Sequence, residues 1–281
     1  MKKHILLLAA AIFFLSACEE IEPTVTGSMG GEVIESPVED QLRQVIIEEF
    51  TGVRCVQCPA GSAFIQDLLA QHGERLIAVS IHAGSFSFPY SDSQFDFRTE
   101  EGNQLISYLN EPFGYPSASV NRKLFPGQFD LQLGQGDWAG YIASELAIAP
   151  KLRINIEPDF NAANRELTAK VTLFVDEAIT DPDVRLSLMI TESNIADLQL
   201  TPASSTPQVD YKHKHALRGM LTNYDGQPIT ESLSAGAKIE KTFSFTMPAE
   251  WKEDECEIVA IVSLNGASKE VLQAHQVHVV E

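Results

Sequence analysis

The chain has 281 residues, 44% of them hydrophobic and 21% charged, and a formal net charge of −19 at pH 7. That length is enough for two ordinary domains with real cores once the ends are set aside. The acidic balance excludes nucleic acid as a partner and direct docking on anionic headgroups, so any membrane attachment must come from a lipid.

Lys2 and Lys3 are followed by an apolar run over 5–15 that ends in Leu15-Ser16-Ala17-Cys18. The run is shorter than the roughly 20 apolar residues of a spanning helix, and residues 1–17 read as a cleaved signal peptide. Leu-Ser-Ala-Cys resembles the lipobox of bacterial lipoproteins. That resemblance implies that Cys18 is the acylated, palmitate-type first residue of the mature chain, held in outer-membrane lipid. Residues 18–40 carry Glu19, Glu20 and Glu22 and no Lys or Arg, and they cannot bury enough apolar surface to fold. They read as a flexible acidic tether. Acidic residues directly after a lipidated cysteine resemble the export signal of Bacteroidota lipoproteins. The resemblance favours the cell surface over the periplasmic face, although a solvated linker has the same composition.

The next stretch organises the first domain, residues 41–149. Residues 45–50, rich in β-branched side chains, read as a buried strand leading through Thr51-Gly52 into Cys55-Val56-Gln57-Cys58. Pro59 suits the first turn of a helix, and Ala63, Phe64, Leu68 and Leu69 follow at helical spacing to His72-Gly73. Positions i and i+3 there bring two Cα atoms to roughly 5–6 Å, within disulfide reach. The helix N-terminus favours a thiolate at Cys55, with Arg54 adding positive charge, so Cys55 is the candidate nucleophile and Cys58 the resolving thiol. Outside the cytoplasm the Cys55–Cys58 pair can close as a disulfide. Zinc sites and structural disulfides use the same spacing.

Strand, Cys-x-x-Cys and helix resemble the active-site corner of the thioredoxin fold. A second strand is expected over 76–81, ending at His82, and Tyr115-Pro116 precedes an apolar-alternating stretch over 117–121. In the thioredoxin family a cis-proline at the start of that strand packs beside the redox pair and holds an extended peptide. The resemblance therefore assigns Pro116 to the catalytic set, with Tyr115 and Arg54 beside the substrate. Arg54 stands where thioredoxin has Trp, and no proline lies between the cysteines; the redox direction stays open. Phe86, Phe88, Tyr90 and Phe95 fall in a loop-like stretch over 85–96, either tacking the loop to its own domain or lining a groove. Helices are expected over 99–109 and 137–148.

Pro150 ends the second of these helices and opens a strand-rich region, residues 150–281. Leu152, Ile154 and Ile156 alternate with polar residues, as do Leu167 to Val175 and Val184 to Ile190. Further strands are expected over 213–221, 239–247, 256–264 and 271–279, with a long connecting loop over 193–210. About seven short strands of this kind suggest an immunoglobulin-like β-sandwich. His213 and His215, two apart on one expected strand, would share a face. A metal there, or at Cys55 and Cys58, would need ligands that the flanking sequence does not supply, so neither a metal nor a cofactor is assigned. Cys256, in an apolar run, reads as a buried small hydrophobe.

The run Glu49-Phe50-Thr51-Gly52-Val53-Arg54-Cys55-Val56-Gln57-Cys58-Pro59 and the turn Gly114-Tyr115-Pro116-Ser117 are joined by the stretches from Tyr211 to Arg218 and from Cys256 to Val262. Together with the lipoprotein signal they resemble the outer-membrane-protein twenty-eight related lipoproteins of Bacteroidota. The resemblance implies a thioredoxin-like domain followed by an all-β sandwich at the outer membrane. Two functions then stand side by side. One is thiol-disulfide exchange on envelope or outer-membrane proteins; the other is a non-catalytic binding or adhesion module whose disulfide is structural.

Overall fold

The structure is a computed structural model that describes residues 37–280. The expected signal peptide, Cys18 and the tether up to residue 36 lie outside the described residues. No helix among the described residues is long and apolar enough to cross a membrane.

Strand β1 (Val45–Thr51) is buried at all seven positions, because sheet neighbours flank it and helices cover it. It runs parallel to β2 (Leu76–His82) and antiparallel to β3 (Ser117–Val120). Helix α1 (Cys58–His72) makes the parallel crossover between β1 and β2. Helix α2 (Glu100–Tyr108) starts at Thr99, whose hydroxyl accepts the Gly102 N–H. Helix α3 (Gln135–Leu146) follows β3. Ile65 and Leu68 of α1 and Trp138 and Ile142 of α3 pack on Val45, Ile47 and Val120.

The second half is almost entirely strand. β4 (Leu152–Asn161), β5 (Glu166–Val175) and β11 (Lys238–Thr246) form a three-stranded sheet in the order β11-β5-β4. β6 (Val184–Glu192), β9 (Ala216–Met220), β12 (Cys256–Leu264) and β13 (Val271–His278) join the first half in one sheet, β13-β12-β6-β9-β2-β1-β3, with β10 (Gln227–Pro228) beside β6. Ile154, Leu173, Leu188 and Ile258 fill the space between these two sheets. The large sheet is continuous across position 150. β2 meets β9 through the Ser80 to Ala216 register, the Ser80 N–H donates to the His215 carbonyl at 2.8 Å, and one apolar cluster runs from Phe50 and Ile81 to Met189, Leu217 and Ile261. Residues 37–280 belong to one compact unit.

Two expectations need correction. Residues 193–210 are not a long loop: β7 (Ile195–Thr201) and β8 (Ser204–His213) pair as an antiparallel hairpin. The buried side of β7 carries Asp197 and Gln199, which bond main-chain groups of the first half, so the apolar alternation that marks a strand is missing. Nor do His213 and His215 share a strand. β8 ends at His213, the chain turns with His215 at φ +51°, and β9 begins at Ala216, so the two imidazoles part company.

Candidate redox site and its cavity

The site is built where β1 runs out. A Cβ at Gly52 would lie 2.3 Å from the Phe86 carbonyl oxygen, so the 84–90 loop packs directly on this backbone. Arg54 fastens the same loop. Its main-chain N–H donates to the Phe86 carbonyl, its guanidinium donates to the Phe88 and Pro89 carbonyls at 2.7 Å each, and it lies 4.3 Å over the Tyr90 ring. Its guanidinium is thus engaged by the loop.

Cys55 and Cys58 form a disulfide with a Cα separation of 5.4 Å. Helix α1 begins at Cys58, with Pro59 in its first turn. Neither an acidic residue nor a capping side chain engages the start of α1, and the Cys58 N–H donates to the Cys55 sulfur at 3.1 Å. The helix terminus therefore places its positive end on the atom that would carry thiolate charge. The Tyr115-Pro116 peptide is cis. A Cβ on Gly61 would lie 2.7 Å from Pro116 Cγ and 2.9 Å from Glu49 Oε1, so α1, Pro116 and Glu49 meet at the one position that carries no side chain. Tyr115 donates its hydroxyl to the Ala83 carbonyl at 3.2 Å and packs edge-on against Phe86; burial, with Glu111 nearby, pushes its phenol up to about 12. The β1–β3 pairing, the Gly61–Pro116 approach and Phe86 between Arg54 and Tyr115 thus bring Arg54, Cys55, Cys58, Tyr115 and Pro116 to one end of the sheet.

Behind the disulfide lies a cavity of about 270 Å³ between α1, β1 and β2 on one side and β8 on the other. Glu49, Cys58, Ser62, His82, Tyr211 and His213 are among its walls. The Glu49 carboxyl accepts from the Ser62 and Ser80 hydroxyls at 3.2 and 3.4 Å, and burial pushes its pKa up to about 8, so it is mostly protonated at neutral pH. His82 stacks on Phe97, His213 lies tilted against the same ring, and the two imidazoles meet edge-on with centroids 5.5 Å apart. Burial holds His213 down at about 4 and His82 well below its usual value, with the neighbouring His213 and Arg218 adding to the shift at His82. Both rings are neutral at pH 7.

The β7–β8 hairpin roofs this corner. Gln199 Nε2 donates to the Cys55 carbonyl at 3.1 Å and to the Gly52 carbonyl at 3.4 Å, and the Leu200 N–H donates to the Val53 carbonyl at 2.8 Å. Under it Cys55 is 3% exposed and Cys58 1%. Sequence reasoning missed Glu49 and Gln199. A carboxylate in the middle of an apolar strand was a legible signal for Glu49; nothing local marks Gln199, whose role depends on a partner more than 140 residues away. Cys256 is fully buried among the sheet residues of the second half, its thiol pushed up to about 12 by burial first and Glu192 next.

A family model described as "Outer membrane protein Omp28" matches residues 103–281. The matched residues hold Tyr115, Pro116 and the β7–β8 hairpin but not the two cysteines. No curated protein matches the chain. Among solved structures, HBP35 of Porphyromonas gingivalis is similar with a TM-score of 0.67 and 18% identity, over 84% of this chain and 75% of its own. Protein AGR_C_4864 from Agrobacterium tumefaciens is similar with a TM-score of 0.53 and 12% identity, over 86% and 96%. At these identities the likeness is one of fold.

Proposed function

This chain belongs to the Omp28 family of outer membrane proteins, and from that premise we propose that it is an acylated envelope lipoprotein whose Cys55–Cys58 pair exchanges disulfides with envelope or outer-membrane proteins. In this reading residues 41–149 are a thioredoxin-like unit and residues 150–281 an immunoglobulin-like sandwich, fused edge to edge through β2 and β9. Cys18 anchors the chain in outer-membrane lipid, and the acidic tether presents it at the cell surface.

The observation that carries the proposal is the convergence on Gly61: the helix that starts at Cys58, disulfide-bonded to Cys55, the cis-proline ring and a protonated buried carboxyl stand in contact. In the reduced protein the Cys55 thiolate attacks a substrate disulfide. A Cys55–substrate disulfide forms and one substrate sulfur leaves as a thiolate, which takes a proton from solvent. Cys58 then loses its proton and attacks the Cys55 sulfur. The second substrate thiolate departs, and the substrate has gained the two electrons that the pair has lost. Glu49, on the same cavity as Cys58 and with its pKa near 8, is placed to take and return the Cys58 proton. Pro116 and Tyr115 hold the incoming peptide, and Arg54 keeps the 84–90 loop against the cysteine turn.

An insulin-reduction or thiol-exchange assay tests this. Cys55→Ser is expected to abolish turnover. Equal rates for wild type and variant would sink the enzyme and leave an envelope-binding module in which the disulfide is a staple.

A further inference from the structure

The cavity behind the disulfide is polar but uncharged within and cationic at its edge. Glu49 mostly keeps its proton at neutral pH, and His82 and His213 are neutral, so none of these three wall residues calls for a counter-ion. The preceding residue on β1 shows the contrast. Glu48 is held on both oxygens by Arg122, whereas Glu49 meets only the Ser62 and Ser80 hydroxyls. His82 Nδ1 and His213 Nε2 are buried without a hydrogen-bond partner. Lys212 and Lys214 are exposed members of the same wall, and Lys214 reaches over to Gln66 Oε1 of α1 at 3.1 Å. Among the described residues no carboxylate pairs with either lysine, in a chain that carries 39 Asp and Glu against 20 Lys and Arg.

We propose that this cavity binds a small organic carboxylate built on a single hydroxylated ring, with the ring between α1 and β8 and the acid head beside Lys212 and Lys214. Size sets the first limit: a cavity of roughly 150 Å³ takes a benzene ring, so about 270 Å³ suits one substituted ring. Pro59, Ala63 and Ile65 of α1 and the Tyr211 and His213 rings of β8 give it apolar flanks. A phenolic hydroxyl both donates and accepts. It can accept from the protonated Glu49 carboxyl and donate to an imidazole nitrogen that has no other partner, which relieves the penalty of an orphaned polar atom. The carboxylate does not follow the ring inward, because no charge there offsets its lost hydration. It stays in water beside the two ammonium groups, where a ligand cation would meet like charge. This site goes beyond thiol-disulfide exchange and stands whether or not Cys55 and Cys58 turn over.

Isothermal titration calorimetry of the purified full chain, with the Cys55–Cys58 pair oxidised and at pH 7, tests this with three probes. One 4-hydroxyphenylacetate per chain is expected. Phenylacetate, which lacks the hydroxyl, should bind about tenfold more weakly, and tyramine, with an ammonium in place of the carboxylate, weakest of all. Replacing both lysines, Lys212→Gln with Lys214→Gln, should weaken 4-hydroxyphenylacetate about three- to tenfold and leave tyramine no weaker. Ala63 is exposed on α1, so Ala63→Phe obstructs the cavity without touching the core and should abolish binding, with an unchanged thermal melt to show that the variant is folded. Absence of saturable 4-hydroxyphenylacetate binding, tyramine or phenylacetate binding as tightly, or wild-type affinity in either variant overturns the proposal. Insulin reduction is a separate readout, so failure here and failure of the exchange reading are told apart.

Discussion

Gly61 and Pro116 approach so closely that a Cβ on the glycine would sit 2.7 Å from the proline Cγ and 2.8 Å from its Cβ. The helix that carries Cys58 therefore rests directly on the cis-proline loop, with no side chain between them. Gly61→Ala is expected to force the two apart and destabilise the protein by about 1–3 kcal/mol. A fall in the urea midpoint with an unchanged m-value would show it, and disulfide exchange should fall with it. An alanine variant of wild-type stability would contradict the contact.

Glu49 gives the protein a pH dependence of a definite sign. Its folded pKa, about 8, lies above the ordinary 4.5, so between these values the folded state binds more protons than the unfolded state. Its contribution is fully present below about 4.5 and is lost as pH rises through about 8. Glu49→Gln should gain stability relative to wild type as pH is raised across that window, measured as urea midpoints at a series of pH values. The variant's exchange rate should also lose the inflection near pH 8.

His213 acts in the opposite direction. Held at about 4 against an ordinary 6.5, it must charge on unfolding, so the folded state loses stability as pH falls from 6.5 toward 4. His213→Phe keeps a ring against Phe97 and should flatten that part of the acid limb. The remaining slope belongs to groups such as His275, likewise held at about 4 by burial.

Gln199 is the clasp of the hairpin roof. Its side-chain amide meets the carbonyls of Gly52, Cys55 and Leu200. Gln199→Ala leaves those acceptors without that donor and should cost about 1–3 kcal/mol. It should also speed alkylation of Cys55 by iodoacetamide in the reduced protein, because this residue is only 3% exposed under the intact roof. Unchanged alkylation would mean that the hairpin does not control access.

Glu48 and Arg122 form an ion pair with both side chains at 0% exposure. Glu48→Ala strands a buried guanidinium and should destabilise by about 3–5 kcal/mol. The more exposed pair Arg153–Asp176 is a fair contrast: Asp176→Ala should cost no more than about 1 kcal/mol. Chemical denaturation of the two variants side by side measures the difference.

The first half was legible because its signals are local. Strand, Cys-x-x-Cys, Pro59 and the spacing of Phe64, Leu68 and Leu69 each report on neighbours within one turn or one strand, and β1, α1, β2, α2, β3 and α3 appear within a few residues of expectation. The hairpin was not legible, because Asp197 and Gln199 turn polar groups inward to satisfy main-chain donors and acceptors of another region. A strand made buried by polar partners carries no apolar alternation.

By itself the sequence determined the helices and strands outside the stretch 193–215, that two sulfurs would stand at a helix N-terminus, and that a proline would open β3, since each follows from the periodicity or rotational freedom of adjacent residues. Only the tertiary structure decided that both halves share one sheet, that Glu49 keeps its proton, that Gln199 closes over the cysteines, and that His215 meets Glu257 rather than His213. Those outcomes depend on which distant groups exclude water from one another, and no stretch of chain read alone contains that information.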